Sequence, residues 1–373
     1  MKKVLCLVLA LALALSLVAC GGSSSSTSTP AASSEAASSE VATAEGYELA
    51  MITDVGEIDD KSFNQGTWEG IKAYADANGV SCQYYKPSEQ STDAYLAAIE
   101  LAVKGGAKVV VTPGYLFEEP IYLAQDQYPD VNFVLIDGNP HNADYSEYRT
   151  EKNAVGITFA EEQAGYLAGY AAVKDGYTKL GFMGGMAVPA VIKFGYGFVQ
   201  GAEAAATEMG VKVDVKYNYT GSFVEKPEIK TMAEAWYQSG TEIIFACGGK
   251  ICNSVFAAAE ANNGKTIGVD IDQAGDSETV VTSSTKGLAA AVTKTLEAYY
   301  AGKFPGTESW VLGAADDAVS LPMATSKFKT FTQADYDAVY AKLADGSITL
   351  KTNADAEAPT DLEVSAVKVE YVE

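Results

Sequence analysis

Residues 47–85 read YELAMITDVGEIDDKSFNQGTWEGIKAYADANGVSCQYY. Tyr47 to Thr53 is a β-rich run that ends in acidic and glycine residues, Ser62 to Asn78 has helical length and an apolar stripe, and Ser81 to Tyr85 returns to strand character. Strand, helix, strand in this order is the unit from which parallel sheets are built, with a right-handed crossover through the helix. The alternation continues outward. Thr92 to Lys104 reads as a helix, Lys108 to Thr112 as a strand, and a short helix starts at Glu118. Asn132 to Asp137 and Ala154 to Phe159 are further strands, and Glu161 to Lys174 is the next helix. The pattern then restarts. Leu180 to Met183, Val211 to Tyr219, Glu242 to Ala246 and Thr266 to Ile271 read as strands, separated by helices at Pro189 to Met209, Pro227 to Ser239 and Lys250 to Asn262. Two such series predict an α/β protein of two doubly wound parallel-sheet lobes joined by a hinge, with the chain beyond Thr282 closing both. Thr332 to Leu343 reads as an acid-capped helix and Glu363 to Val372 as a terminal strand.

The chain before Tyr47 has a different character. Met1-Lys2-Lys3 is a short basic start, and Val4 to Val18 is almost wholly apolar but short of the roughly 20 residues a membrane span needs. Leu17-Val18-Ala19-Cys20 resembles the lipobox of bacterial lipoproteins, which implies a signal peptide at 1–19 and lipid on Cys20; the alternative is an ordinary secretory leader with a chance cysteine. Residues 20–46, rich in Ser, Ala, Thr and Glu, bury too little to fold and read as a linker of roughly 25–30 Å reach. Cys82, Cys247 and Cys252 read as buried small hydrophobes, with a Cys247–Cys252 disulfide as the alternative.

The 373 residues are 48% hydrophobic with a net charge of −23, which argues against nucleic acid or anionic lipid as a partner through charge. One histidine (His141) and one arginine (Arg149) make a histidine zinc site, a Ser–His–Asp triad or an arginine phosphate clamp improbable. No G-x-x-x-x-G-K-[ST] or G-x-G-x-x-G is present. Paired carboxylates, Asp59/Asp60 and Asp270/Asp272, are of the type acid–base chemistry uses. No activated nucleophile with an adjacent base accompanies them. A binding protein without a cofactor is expected, not an enzyme.

Ligands of open α/β sheets gather beyond the carboxyl ends of the strands. Asp54 to Gln65 follows the first strand, and Ser62-x-x-Gln65 fits a capping box that puts Asp59 and Asp60 at a helix N-terminus. Trp68, one turn in, shares a stripe with Ile71 and Ala75 and reads equally as core or as a stacking platform. Thr112 to Tyr115, Ile136 to Asn139, Phe182 to Met186, Cys247 to Lys250 and Val269 to Gln273 are the other post-strand loops. Together they offer carboxylates, aromatics and backbone amides on one edge. That set suits a small, neutral, flat ligand with a polar rim.

Asp59-Asp60-Lys61-Ser62-Phe63-Asn64-Gln65 resembles the opening signature of the basic membrane protein family of ABC-transporter substrate-binding lipoproteins, the PnrA/Med type. Tyr128 to Phe133 with Ile136-Asp137-Gly138, Ile157 to Glu162 with Tyr166 to Gly169, Gly181 to Met186 leading to Pro189, Lys193-Phe194 and Gly197-Phe198, and Gly268 to Gln273 with Thr282-Ser283 and Lys286 follow in the family's order. The resemblance implies a type I periplasmic-binding-protein fold, with one lobe from 47–157 and 275–303 and the other from 158–274 and 304–373. It implies a lipid-anchored monomer on the extracytoplasmic face that delivers a purine nucleoside to ABC permease subunits. Carried over by position, Asp59 and Asp60 hold the base edge, Asn64 supports their loop, and Trp68 and Phe194 sandwich the rings. Asp270 and Lys286 take the ribose hydroxyls, Gly249 lets the backbone approach, and Asp137 touches the ligand. The alternatives are another small solute, such as a sugar or nucleobase, or a ligand sensor without a transporter. The chain departs from the family at Gly56-Glu57, where Gly-Gly is usual, at Gln163, where an acid is usual, and at Gly248-Gly249-Lys250-Ile251, where Gly-Gly-Thr-Gly is usual.

Overall fold

Runs of Val, Ile and Leu set the frame. In the computed structural model, which describes residues 46–54 and 56–372, the short apolar runs form strands buried on both faces, as parallel sheets covered by helices require. The elements in chain order are β1 (Leu49–Ile52), α1 (Phe63–Asn78), β2 (Cys82–Tyr85), α2 (Thr92–Lys104), β3 (Val109–Pro113), α3 (Glu118–Gln127), β4 (Asn132–Ile136) and β5 (Ala154–Phe159). There follow α4 (Glu161–Lys174), β6 (Lys179–Gly184), α5 (Pro189–Met209), β7 (Val213–Tyr219), α6 (Pro227–Gln238), β8 (Ile243–Cys247), α7 (Ile251–Asn262), β9 (Lys265–Asp270) and β10 (Val280–Lys286). The chain ends with α8 (Leu288–Tyr300), β11 (Ser309–Leu312), β12 (Val319–Ser320), α9 (Gln333–Ala344) and β13 (Val367–Tyr371). The leader, Cys20 and the linker up to residue 45 lie outside the described residues.

Two sheets form. The first runs β11-β5-β4-β3-β1-β2, the second β12-β10-β9-β8-β6-β7-β13. Every pairing is parallel except β10 with β12. Apolar side chains on both faces of each sheet pack against the crossover helices, giving Leu49, Val109 and Ile136 one flank and Ala50, Val110 and Leu135 the other. The largest core lies under the second sheet, around Phe182, Phe198, Tyr217 and Phe245. α4 and α5 approach closely there because Gly165, Gly169, Gly197 and Gly201 face backbone. A Cβ on Gly169 would stand 2.0 Å from the carbonyl oxygen of Phe198.

The chain changes sheet three times, between β5 and β6, between β10 and β11, and between β11 and β12. This moves two boundaries. β10, expected in the first lobe within 275–303, pairs with β9 in the second sheet. β11, expected in the second lobe within 304–373, pairs with β5 in the first. α8 does pack against α1. The partner of a parallel strand is non-local, so nothing within 280–312 says which sheet each of its strands joins.

The last segment is an addition to the second lobe. Thr332 caps α9 with its side chain, in a reciprocal box with Asp335. β13 then adds to the β7 edge, seated by Glu203, whose carboxylate accepts from the backbone N–H of Ser365, Ala366 and Val367 at 2.8–3.1 Å.

Candidate functional site between the two sheets

The carboxyl ends of β1, β3, β4, β6, β7, β8, β9 and β10 meet around one cavity. It contains about 920 Å³ of free space including its open mouth. Loops of the first sheet bring Asp54, Asp60, Phe63, Asn64, Tyr115 and Asp137; those of the second bring Phe194, Phe223, Gly249, Lys250, Asp270 and Lys286.

Lys286 organises the floor. As the last residue of β10 it is almost fully buried, and its ammonium lies 2.5 Å from Asp137, 3.4 Å from Glu161 and 3.8 Å from Asp270. Burial alone would lower its pKa, but the three carboxylates overcome this and raise it, so it stays charged. Burial pushes the pKa of Asp137 and Asp270 up against the pull of that same ammonium. Both sit at positive φ, +61° and +66°, a conformation asparagine and aspartate tolerate best among residues with a Cβ. Asp270 accepts from the Ser62 hydroxyl at 2.5 Å, a contact between the lobes. Asp137 Oδ1 is buried without a hydrogen-bond partner.

Three aromatic rings lie near the ammonium of Lys286, with centres at 4.7 Å for Phe63, 5.5 Å for Phe159 and 5.6 Å for Phe194. Phe63 and Phe194 line the cavity. Phe63 begins α1 in the first lobe, and Phe194 lies one turn into α5 in the second. Trp68, expected as the partner of Phe194, is not at the cavity. It packs edge-on against Tyr84 of β2, ring centres 5.6 Å apart, on the flank of the first lobe. At 3.6 residues per turn, Trp68 is rotated about 140° from Phe63 and shares the stripe that faces the sheet. Phe63 was legible in the same motif but overshadowed by the larger ring.

The acids after β1 have separate tasks. Asp60 lines the cavity, yet its carboxylate is spent on the helix start: it accepts from the backbone N–H of Ser62, Asn64 and Gln65 and from Asn64 Nδ2, all at 2.9–3.0 Å. It replaces the expected Ser62 capping box; the Ser62 side chain makes no cap bond. Asn64 also donates to Asp54 at 2.8 Å and ties the loop together, as expected. Asp54, flanked by Gly56 and Asn64, is pushed by burial to a pKa of about 6. Asp59 does not face the cavity. Its exposed carboxylate takes Lys250 from the opposite lobe at 2.8 Å, closing an ion pair across the cleft. Gly249, at φ +54°, lines the cavity with its backbone. Cys247 and Cys252 are free thiols, so the alternative disulfide is not formed, and burial raises both pKa values. Glu161 is the acid sequence reading passed over, because it looked only like the first turn of α4. No group of His, Cys, Asp and Glu among the described residues is arranged to bind a metal ion.

Two largely parallel sheets whose strand ends enclose one cleft, linked by three crossings, define the periplasmic-binding fold. The chain belongs to the Bmp family, described as ABC transporter substrate-binding protein PnrA-like, whose model matches residues 47–350. It is 31% identical to the ABC transporter nucleoside-binding protein BmpA of Lactococcus lactis, over 75% of this chain and 83% of that one. It is also 31% identical to basic membrane protein A of Borreliella burgdorferi, over 65% and 69% of the two chains. Among solved structures, an ABC solute-binding protein from Aeropyrum pernix superposes with a TM-score of 0.70 at 23% identity, covering 83% of this chain and 95% of that one. This last likeness bears on the fold alone.

Proposed function

We propose that this protein captures a purine nucleoside between its lobes, as the substrate-binding component of an ABC importer, and that it is not an enzyme. The observation that carries this is the pair of cavity-lining rings, Phe63 and Phe194, which come from opposite lobes and have centres 4.7 and 5.6 Å from the Lys286 ammonium. A flat base enters between two such rings whatever its identity, since each base has a π-face. Asp137 and Asp270 lie on the floor below. Carboxylate oxygens accept from ribose hydroxyls, and Asp137 Oδ1 is the acceptor left over for one. A nucleoside satisfies both halves; a bare base leaves the floor unpaired and a bare sugar leaves the rings unstacked. Asp54 and Asn64 then lie toward the base edge, with Asp60 shaping the loop rather than touching the ligand.

Closure follows from contacts that only the joined lobes make, Ser62 with Asp270 and Asp59 with Lys250. The relative whose printed name is a nucleoside-binding protein supports this reading. The lipid-anchored, extracytoplasmic placement through Cys20, and docking of the closed monomer on permease subunits, belong to the same proposal. The test is a thermal-shift and calorimetry screen with guanosine, inosine, adenosine, the free bases and ribose. Nucleosides are expected to raise the melting temperature and bind without turnover. A shift with sugars or bases but no nucleoside overturns the ligand assignment.

A further inference from the structure

The single histidine of the chain sits beside the site without entering it. His141 is 4% exposed, in the loop that follows β4, and its ring is covered by Tyr145 at 4.1 Å and Tyr148 at 5.2 Å between centres. Its Nδ1 lies 2.7 Å from the Asn142 carbonyl oxygen and its Nε2 lies 3.2 Å from Glu118 Oε2. A carbonyl oxygen only accepts, so Nδ1 carries the proton and donates. Neutral imidazole then presents a lone pair at Nε2, and a carboxylate presents another. The 3.2 Å contact is a hydrogen bond only when one proton lies between the two atoms.

We propose that Glu118 and His141 share one proton, and that this shared proton braces the loop that carries Asp137 into the cavity. The mechanical link is short. Glu118 Oε1 accepts from the Asn139 backbone N–H at 2.9 Å. Gly138 lies flat on the Glu118 side chain, where an added Cβ would meet Glu118 Cγ at 2.6 Å. Asp137, held at φ +61°, is the next residue back and reaches Lys286. Glu118 and His141 are thus positioning residues; neither lines the cavity.

The remaining polar surroundings leave the pair to itself. Tyr145 and Tyr148 cover the imidazole, and the charges of both Glu118 and Asp54 act on Tyr115. Glu119, on the same helix, is bonded to Thr92 at 2.6 Å. Arg149 is turned to Asp126, Glu147 and Glu151. Among the described residues no lysine or arginine pairs with Glu118. Losing the proton sets two acceptors against each other, and the loop relaxes away from the geometry that Asp137 needs. The braced state therefore binds the proton more tightly than the relaxed one, and the brace is present at low pH and lost as pH rises. Its effect on affinity rests on the nucleoside reading above.

The experiment has two parts, both on the full protein without a histidine tag. First, long-range ¹H–¹⁵N spectra report the imidazole of His141 directly, since the chain has one histidine. The expected result is a protonated Nδ1 throughout and an Nε2 titration that moves on Glu118→Gln; a titration unaltered by that substitution overturns the proposal. Second, guanosine affinity is measured from about pH 5.5 to about pH 8.5, the span in which imidazoles titrate. The wild type is expected to weaken roughly five- to tenfold with rising pH. His141→Gln, whose amide donates to Glu118 at every pH, is expected to differ from wild type in slope, keeping only the part that Asp54 and Asp137 contribute from the cavity. A flat wild-type profile, or the same slope in His141→Gln, overturns the coupling. Failure of guanosine to bind at any pH refutes the nucleoside reading instead, and the imidazole spectra then decide the shared proton alone.

Discussion

Replacing Phe63 by alanine and Trp68 by alanine, in separate variants, is expected to divide ligand binding from stability. Phe63 contributes one ring of the pair around Lys286, and the cavity reaches it directly. Stacking a base on an aromatic side chain is worth about 1–3 kcal/mol by alanine substitution. At about 1.4 kcal/mol per tenfold, Phe63→Ala should weaken guanosine about 5- to 100-fold. Phe63 is half-buried between the cavity and the same first-sheet core, so the cost of its loss to folding should be no more than that of losing the larger Trp68. Trp68 reverses the pattern. It packs on Tyr84 and against the cluster that contains Ile71 and Leu49, so its loss leaves a gap under α1. A fully buried Trp→Ala costs about 3–5 kcal/mol, and half-burial reduces this to about 2 kcal/mol. Calorimetric titration gives the affinities and urea denaturation the stabilities. Trp68→Ala losing affinity tenfold at unchanged stability, while Phe63→Ala binds normally, would refute the site as drawn here.

Removing the cross-cleft ion pair by Lys250→Ala should weaken guanosine binding about two- to fivefold at low salt, the worth of an exposed pair, and the difference should vanish in about 1 M salt, where the screening length is about 3 Å; a loss that salt leaves intact would mean Lys250 touches the ligand. Asp54, with a pKa of about 6 against an ordinary 3.8, holds its proton more tightly folded than unfolded. Stability should accordingly fall as pH rises from about 4 to about 6, by at most about 3 kcal/mol, and Asp54→Asn should flatten that part of the urea-derived profile, since the amide oxygen still accepts from Gly56 and Asn64. Glu203→Ala leaves three backbone amides of 365–367 without their acceptor and should cost about 2 kcal/mol, with faster hydrogen exchange confined to β13 and its neighbour β7; uniform exchange across the second sheet would contradict its role as a local clamp.

These outcomes turn on a distinction the sequence carries unevenly. Strands such as Lys108 to Thr112 are legible because a double-sided parallel sheet demands an unbroken apolar run, and the position of the site follows, since strand ends in such sheets point one way. Asp137 and Asp270, which follow strands, line the cavity, and so do Phe194 and Lys286, which the family resemblance rather than strand position singles out. What a strand end does not encode is which of several acids in one loop turns inward. Asp59 and Asp60 are adjacent, yet one reaches across to Lys250 and the other is consumed by the α1 N-terminus, because three backbone amides at a helix start are the nearest donors any carboxylate can find there. Capture of Asp60 frees Ser62 from its expected capping duty, and Ser62 then bridges to Asp270 in the other lobe. The same helix start sets Phe63 toward the cavity and turns Trp68 to the sheet. A single local choice of cap thus fixes a cross-lobe bond and the identity of the stacking ring, so Asp60→Ala should disturb ligand affinity through Phe63 and Ser62 without Asp60 itself contacting the ligand. Affinity lost in Asp60→Ala but restored in Asp60→Asn, which can still accept at the helix start, would bear this out; equal loss in both would put the Asp60 charge on the ligand.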